Sequence, residues 1–286
     1  MKKGRWKKFF KIFGIVLLSL LLVLIILFYR FIQPKTNAQI IEKFSKEKFH
    51  PTIQYVNYQN KKIRVIAMQE AIDTMLPTLV FVHGSPGSSL DFKKYFTDTN
   101  FHQKANIIAY DRIGYGVENT GDVLNSVPLE LDALRKVIGN IKMEKIILIG
   151  YSYGATIVMA AKDNYKYKIA LAPAIKGDLE PMFWALNLYK WKTSRAIIPK
   201  IFQAASKEKI KHVTELPTLE KQWNQSGSKV TVIHGTSDGI VPYANSLFLQ
   251  KIIDKDKFRL VPIEDGTHAL VWTDFELIKN EILKTL

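Results

Sequence analysis

The chain has 286 residues, enough for one large domain, and its 47% hydrophobic and 23% charged content is that of a globular protein. A net charge of +15 suggests nucleic acid, but residues 1–35 hold eight of the 41 basic side chains and none of the 26 acidic ones. The remaining surplus of seven positive charges is spread along the sequence and forms no stripe, which argues against a nucleic-acid partner. The absence of cysteine excludes disulfides, thiolate metal sites and a cysteine nucleophile.

Residues 1–11 are basic, with Lys2, Lys3, Arg5, Lys7, Lys8 and Lys11 beside Trp6, Phe9 and Phe10. Ile12 through Tyr29 then carries no charge, and Phe31 and Ile32 extend it past Arg30. A helix over 12–32 would span a hydrocarbon core of about 30 Å. The positive charge in front of it predicts a single-pass membrane protein with a cytoplasmic N-terminus and an extracytoplasmic C-terminal domain. A cleaved signal peptide, with Thr36-Asn37-Ala38 as a small-residue site, is the competing reading. Its apolar core would exceed the 7–15 residues expected of that class.

Residues 33–51 read as a polar linker or short helix, and 52–286 as the catalytic domain. Ile53–Tyr58 and Lys62–Met68 predict a hairpin. Thr78–Val82, Asn106–Tyr110, Lys145–Ile149, Lys168–Leu171, Lys229–Ile233 and Phe258–Val261 are short, β-branched-rich runs suited to strands buried on both faces. Helical patterns fall at Leu129–Ile141, Gly154–Asp163, Tyr243–Ile253 and Asp274–Leu286. Alternation of this kind predicts an α/β fold with a mostly parallel sheet. Lys176 to about Ser228 breaks it with an insertion of helical character, where Ile197, Ile198, Ile201, Phe202 and Ala205 form a stripe. Phe183, Trp184, Tyr189 and Trp191 make the insertion aromatic, in keeping with packing or with a lid over a site.

Gly150-Tyr151-Ser152-Tyr153-Gly154 is a G-x-S-x-G element between a strand pattern and a helix pattern, the context of a nucleophile elbow. Glycines let the sharp turn bring backbone against backbone, so Ser152 is the candidate nucleophile. A serine hydroxyl needs a base, and the base needs an orienting acid. Among six histidines, His268 follows the last strand pattern and is the candidate base. His83 and His234 stand at strand ends before glycines and are expected to brace loops; His50, His102 and His212 are expected to face solvent. Asp238 follows the strand at Lys229–Ile233 and is the candidate acid, with Asp178 in reserve. All three candidates lie past carboxyl ends of strands, where open α/β sheets place their sites. Backbone N–H groups of Tyr153 and of Ser85, in His83-Gly84-Ser85-Pro86-Gly87, are candidate oxyanion donors; Pro86 has none to give.

Taken together, HGSPG, YDRIGYG (Tyr110–Gly116), GYSYGA, HGTSDGIVP and GTH resemble the α/β-hydrolase superfamily in order and spacing over about 52–286. The resemblance implies an eight-stranded, mostly parallel sheet with a helical cap at about 176–228. It also implies acyl transfer through a Ser152–His268–Asp238 triad, with no cofactor or metal. Serine at the nucleophile position argues against the dehalogenase and epoxide-hydrolase members, and Asp111 and Arg112 match a structural loop. The implied substrate is a small-molecule or lipid acyl ester, met by a carboxylesterase or lipase type of enzyme. HGSPG is also close to the HGGPG of proline iminopeptidases. An aminopeptidase, a C–C hydrolase and a catalytically silent binding protein therefore remain alternatives.

Overall fold

The computed structural model describes residues 2–286, with side chains described from Trp6 onward. The Lys2, Lys3 and Arg5 side chains of the basic segment lie outside the described residues. The chain divides into two units at Pro34–Lys35. The first contains helix α1, Lys2–Ile32. Its Trp6–Ile32 stretch is 27 residues long and contains an 18-residue window of mean hydropathy 3.1, none of which is buried. That is long and apolar enough to cross a membrane. The helix runs through the basic segment, because lysine and arginine are good helix formers and the single glycine there, Gly4, costs only about 1 kcal/mol.

The second unit begins earlier than 52. Helix α2 (Asn37–Ser45) starts on a Thr36–Gln39 capping box and buries Ile40 and Phe44. Phe44 meets Phe96 of the core at 6.1 Å between ring centres. Of the two readings for 33–51, linker or short helix, the structure has the short helix, seated on the domain through Ile40 and Phe44. An i, i+4 pair of apolar side chains needs a partner surface, and the sheet's helical cover supplies it.

Eight strands form one sheet in the order β1-β2-β4-β3-β5-β6-β7-β8. They are β1 Thr52–Tyr58, β2 Lys61–Ala67, β3 Thr78–Val82, β4 Asn106–Tyr110, β5 Ile146–Tyr151, β6 Tyr167–Leu171, β7 Val230–Gly235 and β8 Phe258–Ile263. Strand β2 runs antiparallel to both neighbours and all other pairings are parallel. Alternate residues feed two cores. Val80, Val82, Ile146 and Leu148 enter one, while Leu79, Phe81, Ile147 and Ile149 enter the other. Helices α3 (Val127–Ile138), α4 (Tyr153–Ala160), α5 (Lys200–Leu219), α6 (Ala244–Ile252) and α7 (Phe275–Leu283) complete the frame.

Between β6 and β7 the insertion is helical. It contains short helices Leu186–Lys190 and Lys192–Arg195, and the long α5. Pro199 caps α5, so the helix begins at Lys200 and Ile197 and Ile198 fall outside the expected stripe. Proline tolerates this place because it has no N–H to leave unpaired. The aromatic residues are not all packing: Trp184 and Trp191 are 75% and 61% exposed.

Candidate active site

Strand β5 hands directly to α4 through Ser152, whose φ of 54° and ψ of −120° are unusual for a residue with a side chain. The turn closes because its flanks lack side chains. A Cβ on Gly154 would stand 2.1 Å from the Val82 carbonyl oxygen, and one on Gly150 would stand 2.4 Å from that of Gly154. The Ser152 N–H donates to Leu171 O at 2.8 Å, which pins the strained residue to β6.

His268 bridges to Ser152 and Asp238. Its Nε2 lies 3.1 Å from Ser152 Oγ, and its Nδ1 lies 2.7 Å from Asp238 Oδ2. An ionised carboxylate only accepts, so Nδ1 carries the proton and Nε2 presents a lone pair to the serine hydroxyl. The imidazole is set further by Tyr151, which donates its hydroxyl to His268 O at 2.7 Å and lays its ring 5.1 Å from the imidazole.

Asp238 is 7% exposed. Its Oδ1 accepts from the N–H groups of Ile240 and Val241 at 2.8 and 2.9 Å. His234 Nε2 lies 2.9 Å from Val241 O and 3.2 Å from Asp238 Oδ2, and neither oxygen can donate. Nε2 is therefore the protonated nitrogen, and Nδ1 accepts from Ser246 Oγ at 2.6 Å. Burial pushes the Asp238 carboxyl up, but hydrogen bonds from His234 and His268 outweigh it and hold the group well below the usual carboxylate range. Asp178, the reserve acid, is 70% exposed and pairs with Lys176.

The loop after β3 passes against Ser152: a Cβ on Gly84 would stand 3.1 Å from Ser152 Cβ. Ser85, Ser152 and Tyr153 line one pocket. The Tyr153 N–H opens α4 and is one of the helix's unpaired donors. His83 braces this loop, its Nδ1 donating to Gly84 O at 2.8 Å and its Nε2 accepting from the Arg112 N–H at 2.9 Å. Burial presses His83 down to about 3, so the ring is neutral.

Beneath the loop, Arg112 is wholly buried. It donates to Gly84 O at 3.1 Å, to Glu130 at 2.9 Å and to Glu208 of α5. Glu208 also accepts from the Tyr115 hydroxyl at 2.7 Å, so Ser85 Oγ, 2.7 Å from that hydroxyl, is the donor to it. Asp111 and Arg112 thus occupy structural positions: Asp111 pairs with Arg64 at 2.6 Å and accepts from Ser89.

The pocket has a volume of about 470 Å³. Its wall is mostly apolar, with Phe183, Leu186, Phe202, Val241 and Trp272. The cap adds Glu180, Lys209 and His212 to it. Glu180 and Lys209 form an ion pair, and Glu180 Oε1 has no hydrogen-bond partner among the described residues. His212 is buried, not solvated as expected; it packs on Tyr153 at 4.8 Å and Nε2 donates to Ala174 O at 3.2 Å. Burial presses it down to about 3. Tyr151 sits inside the G-x-S-x-G element without a role of its own there, and no motif marks Glu180, Glu208, Lys209 or His212. For the α5 members the signal was periodicity, since Phe202, Ala205, Lys209 and His212 recur at helical spacing.

Comparison with known proteins agrees with this architecture. A proline iminopeptidase of Saccharolobus solfataricus is 31% identical over 144 residues, 48% of this chain and 41% of the relative. The chain thus spans less than half the length of that curated relative. Among solved structures, an esterase of Exiguobacterium antarcticum matches with a TM-score of 0.65 at 16% identity, covering 82% of this chain and 98% of the other. A bacterial membrane phospholipase A matches with a TM-score of 0.64 at 13% identity, covering 96% of each chain. The model of the Alpha/beta hydrolase family matches residues 79–276, from the second residue of β3 into α7, so the chain belongs to the α/β-hydrolase family.

Proposed function

We propose that the chain is a serine hydrolase that cleaves a carboxylic ester through an acyl-enzyme. Ser152 attacks the carbonyl, His268 takes its proton, and Asp238 stabilises the imidazolium that forms. The N–H groups of Ser85 and Tyr153 receive the developing oxyanion, and water activated by His268 releases the acyl group. The observation that carries this reading is His268 within hydrogen-bond reach of both Ser152 and Asp238. The apolar wall favours a hydrocarbon acyl group.

The Saccharolobus relative favours a second reading, an aminopeptidase. Such an enzyme needs an anion to hold the substrate's ammonium. The carboxylate in this wall, Glu180, is already neutralised by Lys209, which supports the ester reading. For α1 we favour a retained span with a cytoplasmic N-terminus and the hydrolase domain across the membrane. In support, Thr36 and Asn37 of the alternative cleavage site are the cap and first turn of α2. A reporter fused after Leu286 should be active only outside the cytoplasm.

The test of the chemistry uses the full chain in detergent. Fluorophosphonate should label the protein and lose that label in Ser152→Ala, and p-nitrophenyl acyl esters should be cleaved in preference to prolyl amides. Full labelling of Ser152→Ala would remove the assigned nucleophile. Preference for the amides would replace the esterase by the aminopeptidase, and inertness to every probe would leave a binding protein.

A further inference from the structure

Five large apolar side chains of the cap are exposed within sixteen residues. Met182 is 49% exposed, Phe183 44%, Trp184 75%, Trp191 61% and Ile197 74%. Singly exposed apolar residues are ordinary, but a cluster of this kind marks a binding surface. The same cap sequence is one-sided in charge. Residues 181–207 contain Lys190, Lys192, Arg195, Lys200 and Lys207 and not a single Asp or Glu.

Tryptophan beside lysine and arginine is the chemistry of a membrane interface. The indole sits at headgroup depth while the cations meet lipid phosphates. The patch also runs into the pocket. Phe183 lines it from the cap, Ile240 and Trp272 line it from the other side, and all three are more than 40% exposed. The rim of the pocket is therefore apolar on both sides. An acyl chain leaving a bilayer there would reach Ser152 between apolar walls. A protein partner would have to complement a surface rich in cations and lacking anions while leaving this mouth open.

We infer that the cap segment Met182–Ile198 docks on an anionic lipid bilayer and feeds the pocket from it. This inference rests on the reading of α1 as a membrane span and of the pocket as an acyl site. It names the substrate of that site as an ester carried by a lipid phase.

The absence of native cysteine gives a direct test. The full chain is reconstituted in vesicles of phosphatidylcholine with and without phosphatidylglycerol. A fluorophore is placed on Trp184→Cys or, as a control, on Met75→Cys, which is 79% exposed in the loop before β3. Nitroxide-bearing lipids should quench the Trp184 probe in anionic vesicles and leave the Met75 probe bright. The triple variant Lys190→Gln/Lys192→Gln/Arg195→Gln should reduce the quench to its level in pure phosphatidylcholine. Each cation near an anionic surface multiplies the docked population about fivefold, so three together contribute about a hundredfold. Equal quenching of both probes, or none at Trp184, overturns the inference. Resistance of the reconstituted protein to carbonate extraction reads the anchor separately, and fluorophosphonate labelling in the same vesicles reads the chemistry.

Discussion

Glu208 offers a quantitative test of how the cap is held. Its carboxylate is wholly buried and accepts from Arg112 and from the Tyr115 hydroxyl, while Arg112 also holds Glu130. Truncating one member of a buried, hydrogen-bonded ion pair costs about 3–5 kcal/mol. In a domain of this size about 1 kcal/mol moves Tm by ~2–4 °C, so Glu208→Ala should lower Tm by roughly 6–20 °C. Glu208→Gln should cost less than half as much. It keeps an acceptor for Tyr115 and removes the surplus anion from a cluster in which two carboxylates face one guanidinium. Its pH dependence is equally specific. Burial pushes Glu130 above its ordinary value of 4.5, Arg112 opposes this, and the like charge of Glu208 adds to it. A carboxyl raised in the folded state holds a proton that the unfolded chain releases, so its contribution to stability falls as pH rises from 4.5. In Glu208→Gln that decline should be shallower. Thermal unfolding followed by circular dichroism between pH 4.5 and 8 measures both effects. A Glu208→Ala protein within about 2 °C of the parent, or a steeper decline in Glu208→Gln, would refute the reasoning.

Asp238→Asn should lower ester turnover by about four orders of magnitude, because an amide does not fix the tautomer of His268. The carboxyl is depressed in the folded state, so the stability it contributes is present above pH 3.8 and lost on acidification below it. The Tm gap between Asp238→Asn and the parent should accordingly close below pH 3.8. Lys168, 1% exposed on β6, donates to Ala161 O and is pressed by burial down to about 7. Between pH 7 and 10.5 the folded state binds fewer protons there than the unfolded chain, so the parent gains stability over that window. Lys168→Met should therefore raise Tm at pH 7 and lose its advantage by pH 10.5; a variant less stable than the parent at both values would show the ammonium to be well solvated.

The strands are legible because most are short apolar runs rich in β-branched residues, with glycine, proline or a charged residue within two positions of their ends. Their carboxyl ends placed Ser152, Asp238 and His268 on one edge before any geometry was known. Residues that act through distant contacts left no such trace. Glu208 lies 96 positions from Arg112 in sequence, and its surroundings (Ser206, Lys207, Lys209) read as a solvated helix face. His212 was placed in solvent for the same reason, although α5 turns it inward against Tyr153. Local polarity describes a residue's neighbours in the chain, whereas burial is decided by which face of a helix meets another element. The helix at Asn37–Ser45 falls where the sequence leaves a linker and a short helix both open, since only Ile40 and Phe44 of its residues are buried.

Under the proposed function, the polar contacts that leave no mark in the sequence also bear on how a substrate would enter. Three side chains of α5 grip the body of the domain or the pocket wall: Glu208 holds Arg112, Lys209 holds Glu180, and His212 holds Ala174 O. Lifting the cap would separate at least the Glu208–Arg112 pair inside the protein. At a cost of about 3 kcal/mol or more, such an opening would be populated by less than about one molecule in a hundred. A wall fixed in this way would give the substrate of the proposed hydrolase a standing entrance, between Phe183 on the cap and Ile240 and Trp272 opposite. Because those three residues are apolar and exposed, selection on this proposal would begin at the rim, and a chain already held in an apolar phase would enter with the least apolar surface crossing water.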